Sequence, residues 1–258
     1  EKVIRDIKKL KKGKKPFFLT AGFISPHLPF NAPKKYWDLY DRNTIKQPEN
    51  YNYIPKDAPE ISISNWPEMR DYTNIPSQGQ VSDSIAIDLI HGYYATISYT
   101  DALVGKILNA LKEEGLEKNT IVLLVSDHGY NLQEHTQWAK FTNYNTSTQV
   151  PLILYNPLSK TKGTTNALTS LVDVYPTLVE LCELDAPKKQ LDGVSLVPVL
   201  NDPNSEGKKY VFIKKNNGFT LKTRDFSYTE FIKPKDNSTV ARMLYDHRAT
   251  KFENVNII

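Results

Sequence analysis

Apolar residues recur along this chain at two different spacings. Where they fall on one helical face they predict helices, which we place over residues 1–10, 34–42 and 82–114, with a further helix starting at Asp173. Short apolar runs without charge predict strands, which we place over residues 16–22, 121–125 and 150–155. This alternation of helix and strand predicts an α/β fold.

The last fifty residues follow a different pattern. After the polar linker 201–208, short runs rich in β-branched and aromatic residues predict the strands of a small antiparallel sheet, over residues 209–213, 218–222, 227–232 and 243–246. We therefore expect two units, an α/β body over residues 1–205 and a small α+β subdomain over residues 206–258.

The run 121–125 carries no charge, which is typical of a buried strand in a parallel sheet. Asp127, His128 and Gly129 follow it closely, at the end of a strand where open α/β sheets bind ligands. We interpret Asp127 and His128 as metal ligands, because a glycine allows the backbone to bend there and approach an ion. The alternative is a strand-end turn with a capping Asp and a surface His, since such short motifs recur by chance.

Two cationic side chains stand in unusual local settings. His27 lies between Pro26 and Pro29, whose rings hold the backbone nearly fixed. Lys140 has aromatic neighbours such as Trp138, and partial desolvation would make it a strong anion ligand. The alternatives are a packed loop histidine and a surface lysine whose stem covers a tryptophan.

Composition limits the class of protein. Hydrophobic residues make up 40% and charged residues 24%, which is ordinary for a globular chain. The net charge of +4 is too small to indicate nucleic acid as a partner, and no apolar run reaches the ~20 residues of a membrane span. The single cysteine, Cys182, cannot form an internal disulfide, and its helical spacing with leucines predicts a buried thiol.

Two segments lie outside the regular pattern. The basic run 8–15 is most simply a solvated helix end, although it could hold an anionic polymer. Residues 44–79 form a long segment rich in Pro, Asn and Ser, of a length typical of functional loops or lids. Its aromatic residues could stack on a sugar ring or pin the loop to the body. The chain begins at Glu1 without a signal peptide, and we expect it to be a fragment of a longer protein.

Several motifs in their order resemble the sulfatases of the alkaline-phosphatase superfamily, and among them the iduronate-2-sulfatase-like subgroup. The segments that carry this resemblance are PHLPF at 26–30, SDHG at 126–129, EH at 134–135 and WAK at 138–140, followed by SLVDVYPTLVELCEL, LDGVSLVPVL and GFTLKTRDFSYTEF. SDHG alone is shared across the superfamily, whereas its combination with the other motifs is specific. The resemblance implies a mixed sheet flanked by helices.

The resemblance also implies a chemistry. Such sulfatases use a formylglycine, made from a Cys or Ser, whose hydrate attacks sulfur beside a calcium ion. Asp127 and His128 match two ligands of that ion, and His27 and Lys140 match the catalytic residues that grip the sulfate. Tyr130 and His135 correspond to substrate-binding positions. The partner implied is a sulfated sugar of a polysaccharide, and the location is secreted, periplasmic or lysosomal.

Three features complicate this expectation. The formylglycine motif Cys/Ser-x-Pro/Ala-x-Arg is absent from the sequence, so the chain by itself should be catalytically incomplete. Gln149 stands where related sulfatases carry a histidine, which leaves the sugar specificity open. Calcium prefers oxygen ligands, whereas an imidazole suits softer metals, so the assignment of calcium depends on the resemblance alone.

Two alternatives stay open. One is a zinc-dependent phosphodiesterase or phosphatase of the same superfamily, which would need further His and Asp ligands than the five histidines here supply. The other is a non-catalytic module that binds an anionic polysaccharide through the basic run and the loop aromatics.

Overall fold

The computed structural model describes residues 1–13, 15–185, 191–248 and 250–258. Within this part of the chain the helices are α1 (Lys2–Lys12), α2 (Lys34–Trp37), α3 (Pro67–Arg70), α4 (Asp83–Glu113), α5 (Asn145–Thr148), α6 (Val174–Leu181) and α7 (Val197–Asn201). The strands are β1 (Val122–Val125), β2 (Asn131–Leu132), β3 (Trp138–Ala139), β4 (Leu152–Tyr155), β5 (Val211–Lys215), β6 (Gly218–Lys222), β7 (Phe226–Ile232) and β8 (Thr239–Asp246). The α/β class is confirmed. Lys14, in the basic run, lies outside the described residues.

Helix α4 is the longest element and supports the main hydrophobic core. Its start is capped by Ser82, whose hydroxyl accepts a hydrogen bond from the Ile85 amide at 3.4 Å. One face packs into a cluster of fully buried side chains drawn from four separate segments, namely Leu28, Phe30, Trp66, Met69, Val81, Ala86, Ile90 and Trp138. Helix α4 thereby fixes the positions of loops that are distant in sequence.

Strand β1 pairs with β4 in a two-stranded antiparallel sheet, with Val122 opposite Tyr155. The expectation of a buried strand in a parallel sheet is therefore wrong for the described residues. Val122 packs against the cluster around Ile7, whereas Ile153, on the same face of the sheet, is 61% exposed, so this face is covered only in part. An uncharged apolar run fits either arrangement, since periodicity does not report the direction of the partner strand.

The segment 16–22 forms no strand in the described structure, so that prediction is wrong. Phe18 is 83% exposed, while Leu19 packs onto the cluster formed by α1 and α4. Apolar composition alone does not make a strand, because a ladder needs a neighbouring strand that supplies hydrogen bonds.

Cys182, predicted to be a buried thiol, is exposed, because it lies at the C-terminal end of α6.

Much apolar surface is accessible. The described chain has 16888 Å² of solvent-accessible surface, whereas a compact monomer of its 29.5 kDa would expose about 11,500 Å². Exposed apolar residues on the β1–β4 sheet contribute to this excess.

None of the helices in the described part of the chain is long and apolar enough to cross a membrane.

The predicted antiparallel sheet near the C-terminus is confirmed. Its order is β5-β6-β7-β8, with every pair antiparallel. Phe231, Met243 and Tyr245 are buried against Tyr144 of the body. The chain end also returns to the body, where the Asn256 side chain donates to the Asp57 carbonyl at 2.9 Å. The boundary between residues 205 and 206 stays a prediction, because these contacts bridge the two units.

The long segment 44–79 is mostly irregular, as predicted, and is interrupted by the short helix α3. Trp66 and Met69 from this segment are buried at 3% and 0% exposure. The Arg70 guanidinium lies 3.4 Å from the centre of the Trp66 ring. At least this part of the segment is pinned to the body by its aromatic residue.

Candidate active site

Strand β1 leads directly into the turn that carries Asp127 and His128. The Ser126 hydroxyl donates to the His128 carbonyl at 2.9 Å, and the His128 amide donates to Asp127 Oδ1 at 3.1 Å. Gly129 is required here for space, because a Cβ on it would lie 2.1 Å from the Thr146 carbonyl oxygen. The glycine thus allows two backbone segments to meet behind the turn.

Asp127 and His128 present their donor atoms to each other. His128 Nδ1 lies 2.8 Å from the Gly129 carbonyl, so this nitrogen carries the proton and Nε2 keeps a free lone pair. Asp127 Oδ2 lies 3.6 Å from that Nε2. An imidazole held by a backbone carbonyl through its other nitrogen is a common arrangement in metal ligands. The two side chains can therefore offer one oxygen and one nitrogen to a single ion.

The described residues provide only part of the ligands that a metal ion needs. Within the described ranges, no group of three or more His, Cys, Asp and Glu side chains could hold a metal ion. Calcium takes six to eight oxygen ligands. Asp127 and His128 alone thus fall short of a full calcium shell, and the Asp127 side chain is 84% exposed.

The β2–β3 ladder pairs the residue that precedes Lys140 with a residue that closely follows the metal-ligand turn. Asn131 pairs with Ala139, so continuing the antiparallel register sets Tyr130 opposite Lys140. His128 precedes Tyr130 by two residues. The buried Asn131 side chain locks this hairpin, because its amide donates to the Ala139 carbonyl at 2.7 Å and to Ser147 Oγ at 2.8 Å.

The hairpin holds an unusual backbone. Gln133, His135, Thr136 and Ala139 all have positive φ, at 84°, 53°, 62° and 63°. Side chains disfavour this left-handed region, at a cost of order 1 kcal/mol or more each. Such strain persists only where the surroundings hold the backbone, and here it orients the residue that precedes Lys140.

His27 and Lys140 meet, although 113 positions separate them. Lys140 Nζ lies 2.9 Å from His27 Nε2. His27 Nδ1 lies 2.8 Å from the Leu28 carbonyl, which fixes the ring and leaves Nε2 to face Lys140. The structure therefore brings together the two cationic groups that the sequence proposed separately.

A third side chain, which sequence reasoning missed, completes this group. Glu68 Oε1 lies 2.8 Å from His27 Nε2, and Glu68 Oε2 lies 3.1 Å from Lys140 Nζ. No motif marks Glu68, because it stands in the irregular segment 44–79 and its neighbours Pro67 and Met69 match no catalytic pattern. Glu68 is brought to His27 and Lys140 only by the packing of α3 in the folded chain.

One hydrophobic cluster positions all three side chains. Leu28 follows His27, Met69 follows Glu68, and Trp138 precedes Lys140 by two residues, and all three belong to the core cluster under α4. A cavity of about 270 Å³ is lined by Leu28 and Met69 together with apolar side chains of α4. The six candidate residues are not among its lining residues, so the cavity neighbours the site without containing it.

Tyr130 packs in the wall of the site. Its ring stacks on Tyr93 with centroids 5.3 Å apart and meets Phe30 edge-on at 5.9 Å. Its hydroxyl is buried and has no hydrogen-bond partner among the described residues. Burial raises the pKa of Tyr130, and the nearby Glu68 carboxylate raises it further. Its role as a substrate-binding residue stays a prediction.

His135 lies in a different cluster from the other candidates. It is 4% exposed, and its ring is 5.4 Å from that of Tyr144. The Asn50 amide is 3.2 Å from His135 Nε2, and burial lowers the pKa of His135 to about 4. These contacts give the imidazole a neutral packing role in this structure, and its assignment to substrate binding stays a prediction.

Comparison with known proteins identifies the family. The family model described as Sulfatase matches residues 1–184, and the one described as N-sulphoglucosamine sulphohydrolase, C-terminal, matches residues 133–249. The chain therefore belongs to the sulfatase family, which confirms the resemblance.

Curated relatives agree. The chain is 32% identical over 213 residues to iduronate 2-sulfatase from Homo sapiens, which covers 78% of this chain and 38% of that protein. It is 34% identical over 163 residues to iduronate 2-sulfatase from Mus musculus, covering 61% of this chain and 29% of that protein. The chain thus spans less than half the length of these relatives.

A solved structure shares the fold. A protein determined in complex with its substrate D-glucosamine-2-N,6-O-disulfate superposes with a TM-score of 0.76 at 19% identity. The alignment covers 99% of this chain and 64% of that one. At this identity the likeness establishes the fold, which confirms the expected sulfatase-like architecture.

Proposed function

We propose that this chain forms part of a sulfuric ester hydrolase that acts on a sulfated sugar of a polysaccharide. The observation that carries the proposal is the approach of Lys140 Nζ to His27 Nε2 at 2.9 Å, from two loops far apart in sequence. Two donors that converge on one point suit a small anion. The pairing of Ala139, which precedes Lys140, with Asn131, three residues after His128, and the membership of the sulfatase family support it.

The roles of the two donors follow from their chemistry. A sulfate ester presents anionic oxygens, and its leaving oxygen gains negative charge as the sulfur–oxygen bond breaks. The Lys140 ammonium carries three donors on a compact charge, so it can hold a sulfate oxygen and stabilise the leaving oxygen at once. In the imidazolium form, with Nδ1 bound to the Leu28 carbonyl, His27 can donate from Nε2 to a second sulfate oxygen, or pass that proton to the departing alcohol.

The metal would be held by the strand-end turn. We propose that Asp127 Oδ2 and His128 Nε2 contribute two ligands to a calcium ion, whose charge would balance the sulfate when it is bound. The remaining ligands and the formylglycine nucleophile are proposed to come from residues outside this sequence, because no formylglycine motif occurs within it.

The substrate is proposed at the level of its class. The human and mouse relatives are named iduronate 2-sulfatase, and their identity with this chain supports a sulfated uronate or a similar sugar. Gln149 departs from the histidine expected there, and it lies three residues after Thr146, which contacts the site turn. The sugar specificity is therefore proposed to differ from that of these relatives in detail.

The test is turnover of an aryl sulfate by the whole protein with its formylglycine installed. Lys140→Ala is expected to lower kcat/KM by about 10³-fold, in the range seen when one charge-stabilising donor is removed. The exposed Lys118→Ala is the matched control and should leave kcat/KM within about twofold. Near-normal turnover by Lys140→Ala would contradict the proposal.

Metal content separates the proposal from the phosphodiesterase alternative. One calcium per chain, weakened by Asp127→Asn, agrees with the sulfatase site. Two tightly bound zinc ions per chain would instead require a second cluster of ligands and would contradict it.

A further inference from the structure

The Glu68 carboxylate lies where a bound sulfate would have to lie. It contacts His27 Nε2 at 2.8 Å through Oε1, and Lys140 Nζ at 3.1 Å through Oε2. A carboxylate and a sulfate share the features that these donors recognise, since both offer negatively charged oxygens with similar hydrogen-bond distances. Oε1 also accepts a hydrogen bond from Lys140 at 3.4 Å, while the buried Oε2 forms an ion pair with Nζ without a hydrogen bond. The carboxylate thus contacts the same pair of groups that the proposed function assigns to the substrate.

The valence of the imidazole makes the two occupants exclusive. His27 Nδ1 is committed to the Leu28 carbonyl at 2.8 Å, which leaves Nε2 as the free nitrogen. A ring nitrogen makes one in-plane hydrogen bond. Nε2 can either accept from Lys140 at 2.9 Å or, when it carries a proton, donate to one anionic oxygen. A sulfate oxygen that takes the donated bond therefore has to displace Glu68 Oε1.

Electrostatic repulsion also prevents Glu68 and a bound anion from occupying the site together. An anion that reached Lys140 while Glu68 stayed in place would put two negative groups side by side in a partly buried site. The Lys140 side chain is 15% exposed and that of Glu68 is 29% exposed, so solvent screens their interaction only in part. Like charges at such short range cost several kcal/mol in a partly desolvated interface, and Glu68 would disfavour binding unless it moves.

The packing defines which part moves. Trp66 and Met69, on either side of Glu68, are 3% and 0% exposed, so the backbone of α3 is anchored in the core. The side chain of Glu68 is exposed enough to rotate towards solvent about its own torsions. Displacement therefore requires a change of rotamer and leaves the segment 44–79 docked.

We infer that Glu68 is an internal occupant of the anion subsite, a carboxylate that neutralises His27 and Lys140 when no sulfate ester is bound and swings out when one binds. The inference rests on the proposed function. It adds an autoinhibitory contact that lowers the affinity for free anions, because every anion has to displace Glu68 first.

The experiment is a titration of the whole protein with sodium sulfate by calorimetry, at constant ionic strength set with sodium chloride. Glu68→Gln keeps the shape of the side chain and removes its charge. It is expected to bind inorganic sulfate at least about tenfold more tightly than the unmodified chain, since the like-charge penalty is removed. Adding Lys140→Ala to Glu68→Gln is expected to abolish this gain.

Controls separate the possible outcomes. Glu60→Gln makes the same change of net charge at an exposed position and is expected to leave sulfate affinity unchanged. Far-ultraviolet circular dichroism and the melting temperature establish that Glu68→Gln is folded, and Glu68→Ala provides a second variant without the charge.

Two results overturn the inference in different ways. If folded Glu68→Gln and Glu68→Ala bind sulfate no more tightly than the unmodified chain, or not at all, then Glu68 is not a competing occupant, and the proposed function is unaffected because its own test is turnover by Lys140→Ala. If Glu68→Gln gains affinity that Lys140→Ala does not remove, the sulfate lies elsewhere and the proposed anion subsite fails as well.

Discussion

The amide nitrogen of Asn131 donates to the carbonyl oxygen of Ala139 at 2.7 Å, across a hairpin of two short strands. Ala139 is fully buried with a φ of 63°, and the next residue is Lys140. The backbone that aims Lys140 is thus held by one buried side chain from the opposite strand.

Removing that side chain should loosen the hairpin. Asn131→Ala leaves the Ala139 carbonyl and the Ser147 hydroxyl without their donor, in a site that is 1% exposed. We expect the free energy of unfolding to fall by about 2–4 kcal/mol, because the buried Ala139 carbonyl loses this side-chain donor, although the Ser147 hydroxyl keeps Thr142 as a partner. Chemical denaturation measures this change. The exposed Asn119→Ala is the control and should change it by less than about 0.5 kcal/mol.

Two glycines provide a matched pair. Gly129→Ala would place a Cβ 2.1 Å from the Thr146 carbonyl oxygen, whereas Gly105→Ala, inside helix α4, meets nothing within 4 Å. We expect Gly129→Ala to destabilise the chain by about 3 kcal/mol or more. Gly105→Ala should stabilise it by about 0.5–1 kcal/mol, because alanine favours the helix. Thermal unfolding of the two variants decides, and equal effects would show that the close backbone contact behind Asp127 and His128 is absent.

A buried carboxylate should give the chain a specific pH dependence. Glu253 accepts from the Asn145 amide at 2.7 Å and lies 3.7 Å from His247 Nε2, with Lys222 nearby. Burial raises the pKa of Glu253 to about 7 from the usual 4.5. Because the folded state prefers the protonated form, the stabilising contribution of Glu253 is complete below pH 4.5 and is lost as pH rises through 7.

Glu253→Gln isolates this effect from that of His247, whose pKa is lowered by burial and which therefore acts in the opposite direction. The stability of the unmodified chain relative to Glu253→Gln should fall by about 2–3 kcal/mol between pH 4.5 and pH 8. Urea denaturation at several pH values measures the difference. A pH-independent difference would mean that the carboxylate is solvated, and the exposed Glu113→Gln supplies the flat reference.

Local patterns predicted those elements whose formation depends on nearby residues. The strand Gly218–Lys222 matches its predicted bounds, and helix α4, at Asp83–Glu113, lies within one residue of the predicted range 82–114. In both cases the periodicity and the turn or cap residues lie within the element itself.

Local sequence patterns did not predict which strands pair with each other. The run 121–125 became a strand, but its partner β4 is antiparallel and leaves Ile153 exposed. Apolar composition reports a tendency to be covered, and only the fold decides what covers each face. The same limit applied to Phe18, whose segment has no ladder in the described structure.

Four residues of the candidate site could be proposed from sequence motifs. His27, Asp127, His128 and Lys140 were each recognised within short specific segments, and the structure brings His27 to Lys140 and Asp127 to His128. Glu68 has no such motif, and its contacts arise because Met69 and Trp138 share one core cluster. His135, by contrast, matched a motif and yet lies buried beside Tyr144.

The central claim is that His27 and Lys140 act on the same small anion. A double-mutant cycle on the whole protein, with His27→Ala, Lys140→Ala and their combination, tests it through kcat/KM for an aryl sulfate. We expect the losses of kcat/KM in the two single variants not to be additive. The coupling energy should be about 1–3 kcal/mol, because each side chain depends on the anion that the other holds. Additive losses, or a near-normal rate in either single variant, would contradict it.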